Sequence, residues 1–204
     1  MLDWIKTIWD YNYRAHHQMM DCVAQLSEAD FKKEVEYSMG SVHRQVVHVM
    51  WAESVWFARI NGLSRPEYTV DDYPTVQAIR KKWSDVEMQW QTYLDRLTEE
   101  ELSASFDYVR GNDEETSSIL RETLWHVVNH GTDHRAQILQ LCHSYGAPTF
   151  EQDMFFYFQA RDGIEKKIIT LLCCGRIAIR PYITNNYNWL AISAATRALL
   201  MSNA

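Results

Sequence analysis

Seven apolar or aromatic residues recur at steps of three and four between Val76 and Leu97: Val76, Ile79, Trp83, Val86, Trp90, Tyr93 and Leu97. The positions between them are mostly polar. A strand buries every second residue, so this spacing is incompatible with a sheet and predicts a long helix with one apolar stripe. Such a stripe must be covered by other helices. Ile5, Ile8, Asn12, Ala15, Met19, Cys22 and Leu26 repeat the pattern in a first helix, with Asn12 as its polar exception. Ser27 and Asp30 fall in the turn after it.

A second helix is expected from Ser41, a good N-cap after Gly40, through "VHRQVVHVMWAESVWFARI" to the helix-ending pair Asn61-Gly62. The Val76–Leu97 helix is then the third. Thr98 and Glu101 form a capping-box pattern for a short helical turn, and "SASFDYVRGNDEETSS" reads as a connection of extended character with a short hairpin around Gly111-Asn112. A fourth helix is expected from about Ser118 to Tyr145, stopped by Gly146 and Pro148. Thr149 and Gln152 suggest a capping box for a short aromatic fifth helix, "FEQDMFFYFQARD". The expected fold class is all-α: an antiparallel four-helix bundle with a short fifth helix and an atypical C-terminal tail.

The tail is marked by charge. Residues 1–163 hold 15 Lys+Arg against 26 Asp+Glu, whereas residues 164–204 hold five against one. The expected organisation is a helical bundle over 1–163 and a tail over 164–204. The break leaves open a poorly specified tail, an accessory segment covering the bundle, or an end altered by frameshift.

Composition narrows function. With 47% apolar residues, eight Trp and eleven Tyr, a packed core is feasible. A formal net charge of -7 argues against sequence-independent nucleic-acid binding, which needs clustered Lys and Arg. "MLDWIKTIWDYNY" lacks the basic start and apolar run of a signal peptide, and no apolar run approaches the ~18–20 residues of a spanning helix. No membrane partner is expected. Cys22, Cys142, Cys173 and Cys174 show no CxxC spacing, so a reducing, cytoplasmic setting is the simplest expectation.

The fourth helix, "LWHVVNHGTDHRAQILQL", stacks His126, His130 and His134 at four-residue steps. At about 100° per residue, with His130 as zero, His134 lies at about 40° and Ile138 at about 80°, on the inward stripe. His126 lies at about -40° on its flank, and His143 at about -140° faces outward. Imidazoles at i and i+4 can share one metal at about 2.0–2.1 Å, and a third ligand must come from another helix. His48, which shares a face with Trp51, Ala52 and Val55, is the best candidate. Three neutral imidazoles leave an open coordination position, the layout of a catalytic rather than a structural site. An HxxxH pair also suits core or groove histidines hydrogen-bonded to their neighbours.

Other residues carry two readings. Asp133 and Gln137 are near the ligand pair in sequence; Asp133 could orient a ligand's second nitrogen or be a solvated helix charge. Asn12 is a pocket candidate or a buried, satisfied amide. Trp51, Trp56, Trp83 and Trp90 are expected in core and pocket wall, Cys22 as a small core residue. His16 and His17 are expected at the surface or rim, and His43 is expected to point away from His48. No Glu or Asp occupies an obvious catalytic place beside the histidines.

Three of these stretches together resemble the DinB/YfiT-like family of metal-binding bundles. "LRETLWHVVNHGTDHRAQI" resembles its signature helix, "SVHRQVVHVMWAESVWFARING" its second helix, and "FDYVRGNDEETSSI" the strand-like connection between them. The likeness spans roughly residues 1–162; Ala136 stands where the family often has Gly. It implies metal ligation by His48, His130 and His134 and a divalent ion, zinc or nickel first. It further implies a metal-dependent enzyme such as a low-molecular-weight thiol S-transferase acting on a small-molecule substrate. A metal-dependent hydrolase or a non-catalytic stress-response module are the alternatives. It also implies a homodimer.

Overall fold

In the computed structural model, residues 1–111 and 114–162 are described. Helix α1 spans Leu2–Val23, α2 Glu28–Lys32, α3 Val42–Ile60, α4 Val76–Arg96, α5 Leu120–Ser144 and α6 Met154–Arg161. Strands β1, Ser105–Val109, and β2, Glu115–Ile119, form one antiparallel hairpin with Phe106 opposite Ser118. The chain divides into two units, Met1–Glu151 and Gln152–Ala204. The expected boundary at 163, the tail after it, and Cys173 and Cys174 lie outside the described residues.

The first unit is the expected four-helix bundle of α1, α3, α4 and α5 around an apolar core. The predicted stripes face inward: Ile79, Trp83, Val86 and Trp90 of α4 are buried, as are Ile5, Ile8, Asn12, Ala15, Met19 and Cys22 of α1. Trp9 and Trp90 meet with ring centroids 4.4 Å apart, and both are almost fully buried. A pair of this kind adds roughly 0.5–1.5 kcal/mol beyond its area burial. Ring contacts run in opposite order along α3 and α5, His48 to His134 and Trp56 to His126, so these helices are antiparallel. The same holds for α1 and α4, where Trp9 meets Trp90 and His16 meets Trp83. The connection after α3 runs back along that helix. The Trp51 indole donates to the Pro66 carbonyl at 3.0 Å, and a His43 ring nitrogen lies 2.7 Å from the Tyr73 carbonyl.

Local chemistry sets the helix ends. The Ser41 hydroxyl accepts from the Arg44 amide at 3.1 Å, and Thr75 caps α4 in the same way through Ala78. Thr98 and Glu101 exchange backbone-to-side-chain bonds at 2.8 and 3.4 Å, forming the expected box before a 3-10 turn. Gly146, with φ of +80°, follows the α5 C-cap Tyr145. Three boundaries differ from expectation. Ser27 does more than occupy a turn: its hydroxyl accepts from the Asp30 amide and starts α2. Ser118 and Ile119 belong to β2, because the hairpin carries their backbone groups, and α5 begins at Leu120. Asp153, not Thr149, caps α6 by accepting from the Phe155 amide at 3.0 Å.

Candidate metal centre

α3 contributes His48 and α5 contributes His130 and His134, one turn apart. Ring centroids are 5.4 Å apart for His48 and His130, 4.7 Å for His48 and His134, and 4.5 Å for His130 and His134. One ring nitrogen from each lies within 4.8 Å of the others, so the three could hold a metal ion. Drawing them onto one ion at about 2.0–2.1 Å needs a closure on the order of 1 Å, within reach of ring rotation.

The environment suits a cation held by neutral ligands. Burial pushes all three imidazoles below their ordinary range, His130 to about 4, and the crowding of His134, His48 and His126 around His130 adds to the effect. Asp133 opposes it weakly at His130 and His134. The lone pairs are therefore free near neutrality. Nδ1 of His134 is buried without a hydrogen-bond partner among the described residues. A buried, unpaired ring nitrogen is costly unless something binds it or its neighbour.

The other candidate residues differ in where they stand relative to this trio. Trp51 is half-buried with its ring 6.0 Å from that of His48. Asp133 is exposed and accepts from the Gln137 amide at 3.1 Å, while the Gln137 carbonyl oxygen accepts from Ser38. Neither side chain bonds a ligand imidazole among the described residues. His126 stands on the flank, exposed, its ring 5.9 Å from His130 and 5.3 Å from Trp56. His17 is exposed, with Nε2 3.0 Å from Glu87, and Cys22 is a core thiol.

His16 is a correction. It is 3% exposed rather than at the rim. It shares the inward stripe with Asn12, one turn earlier, and packs on Trp83 with ring centroids 4.5 Å apart. Its Nδ1 lies 3.4 Å from a carboxylate oxygen of Glu53, which is 2% exposed. That carboxylate also accepts from the Trp83 indole at 2.8 Å, the Asn12 amide at 3.3 Å and the Tyr13 hydroxyl at 3.4 Å. Asn12 accepts from Arg135, which is fully buried and donates to Thr132 at 2.8 Å. Asn12 is therefore a buried amide bridging an acid and a base. Burial lifts Glu53 to about 7 against the pull of its donors and of Arg135. Burial and then Arg135 hold His16 well below its usual range, and His130 contributes to the same shift.

Among the described residues no carboxylate bonds an imidazole of the trio; Glu53 instead lies 3.4 Å from His16. One signal was present in the sequence. Glu53 is the lone acidic residue within "VVHVMWAESVWF", five residues after His48. Gly131 joins the cluster to the metal centre. A Cβ there would come within 2.9 Å of Asn12 Oδ1 and 3.2 Å of both Arg135 Nη1 and His16 Nε2.

The fold has known counterparts. A conserved protein from Enterococcus faecalis superposes with a TM-score of 0.54 at 15% identity, covering 69% of this chain and 95% of that one. A DinB-like protein from Bacillus cereus does so with a TM-score of 0.55 at 17% identity, covering 72% and 94%. At such identities the likeness concerns the fold. No curated protein matches. A profile of the DinB family matches residues 1–167. On that match the chain belongs to the DinB family.

Proposed function

We propose that the protein binds a divalent metal ion, zinc or nickel, through His48, His130 and His134, and uses it as a low-molecular-weight thiol S-transferase. The observation that carries the reading is the convergence of three neutral imidazole nitrogens within 4.8 Å from two helices. When bound, the ion would supply Lewis acidity, holding a thiol sulfur as thiolate. The chain's own residues line the site: the three imidazoles converge, Trp51 stands beside His48, and Trp56 stands beside His126.

Thiol transfer is favoured over hydrolysis by the state of the carboxylates. Glu53 is engaged by three donors, and Asp133 is engaged by Gln137. Neither bonds a ligand imidazole among the described residues, and a thiolate attacking carbon needs no general base. A sulfur–carbon bond forms while the leaving group departs with the electron pair of its bond to carbon.

The test is thiol conjugation by zinc- and nickel-loaded protein, using bacillithiol or cysteine with an alkyl halide. Metal-dependent halide release, abolished in His130→Ala, is expected. Stoichiometric metal binding with no halide release would favour a non-catalytic metal-binding module instead.

A further inference from the structure

Beside the triad lies a cluster of guanidinium groups that the metal chemistry does not use. Arg59, near the end of α3, stacks over Trp56 at 4.6 Å and over Tyr108 of β1 at 4.8 Å. Arg65, in the connection after α3, lies 5.0 Å above the Trp51 ring. Its Nη1 reaches to 3.5 Å from where a Cβ would stand on Gly111, at the hairpin turn. Arg110 closes β1 at that turn. Burial lowers the basicity of Arg59, and the charges of Arg65 and Arg110 lower it further, while Tyr108 counters them. Arg59 is thus close enough to feel both other cations.

Two features set the cluster apart from ordinary surface charge. First, few of its charges are paired among the described residues. Among the described residues neither Arg59 nor Arg65 forms an ion pair, and Arg110 meets only Glu114, at 3.7 Å with both side chains exposed. This occurs in a chain of formal net charge -7. Gathering like charges costs energy that an incoming anion would relieve. Second, the cluster connects to the triad on two sides. Trp51 bridges His48 and Arg65, and His126 with Trp56 bridges His130 and Arg59. At Arg65 a molecule lies one aromatic side chain, Trp51, from His48. Guanidinium groups stacked on aromatic faces keep the planar N–H forks that can bind oxyanions in bidentate fashion.

We infer that Arg59 and Arg65, assisted by Arg110, form an oxyanion subsite that holds a carboxylate or phosphate group of the small molecule whose other end reaches the triad. Arg59 and Arg65 are positioning and specificity residues. The inference rests on the metal-site reading for the reacting end, while the subsite itself stands on the arginine geometry alone.

Calorimetric titration of the full chain with succinate and with inorganic phosphate, metal-free and zinc-loaded, tests it. Wild type is expected to bind one of the two, and Arg59→Ala/Arg65→Ala to bind it at least roughly tenfold more weakly. Succinate binding assigns a carboxylate, and phosphate binding assigns a phosphoryl group. No binding of either, or equal binding by the double variant, overturns the proposal. Circular dichroism and zinc content, both expected to be unchanged in the double variant, exclude misfolding. If wild type fails to retain zinc, the metal reading falls, while the metal-free titration still decides the subsite.

Discussion

Gly131→Ala should destabilise this protein, although helix propensity alone predicts the reverse. Gly131 sits inside α5, where replacing glycine by alanine ordinarily gains about 1 kcal/mol. Here the new methyl would meet Asn12 Oδ1 at 2.9 Å and Arg135 Nη1 and His16 Nε2 at 3.2 Å. None of the three can retreat into solvent, since they are 0%, 0% and 3% exposed. Asn12 is fixed from both sides, accepting from Arg135 and donating to Glu53. Forcing an extra methyl into a packed interior costs about 1–3 kcal/mol. Displacing Asn12 leaves a buried donor or acceptor unpaired, for a further ~1–3 kcal/mol.

Set against the propensity gain, the net loss is about 1–5 kcal/mol. In a chain of this size that lowers Tm by roughly 2–4 °C per kcal/mol. Urea denaturation and thermal melts of metal-free protein measure it. Ala136→Gly is the control: it is exposed on the same helix, and it should lose about 1 kcal/mol through propensity alone. A Gly131→Ala protein more stable than wild type by about the propensity increment would refute the packing account.

Two further outcomes are expected. Folded Glu53 holds its proton up to about pH 7 against an ordinary value of 4.5, so its contribution to stability is full below 4.5 and is lost as pH rises through about 7. The loss is on the order of 3 kcal/mol; Glu53→Gln should remove it, and urea midpoints of both proteins between pH 4.5 and 8 should converge only at the acid end. Zinc at about a hundred times its dissociation constant should stabilise wild type by about 2.7 kcal/mol and leave His130→Ala unmoved, as read by melts with and without chelator.

Much of the architecture was legible because long amphipathic stripes and caps are local signals. The stripe from Val76 to Leu97, the Ser41 cap and the Thr98–Glu101 box each depend on residues within a few positions of one another. The histidine trio was legible for a related reason: helical angle places His130 and His134 together, and His48 lies on an inward face of its own helix. The polar cluster was not. Reading by hydropathy assigns histidines to the rim and a carboxylate to solvent, but burial of His16 and Glu53 is decided by partners far along the chain. Asn12 and Arg135 are 123 residues apart, and Asn12 and Glu53 are 41 apart. The start of α5 is hidden for the same reason, because Ser118 is claimed by a cross-strand partner.

The placement of that cluster bears on how α5 is held. Its ends are anchored by apolar residues, Leu124, Val127 and Val128 on one side and Ile138, Leu139 and Cys142 on the other. Between Val128 and Ile138 the only buried residues are Gly131 and Arg135. This middle stretch carries both helix-borne ligands, yet it contributes no buried apolar side chain. Its position is therefore set by directional bonds, Arg135 to Asn12 and Thr132, and by the close approach that Gly131 permits to α1. Apolar packing tolerates small sliding; a bridged amide between an acid and a guanidinium does not. The same residues that cost the bundle a continuous hydrophobic seam thus fix where His130 and His134 stand relative to His48. Disturbing them should move the ligands before it loosens the apolar ends of the helix.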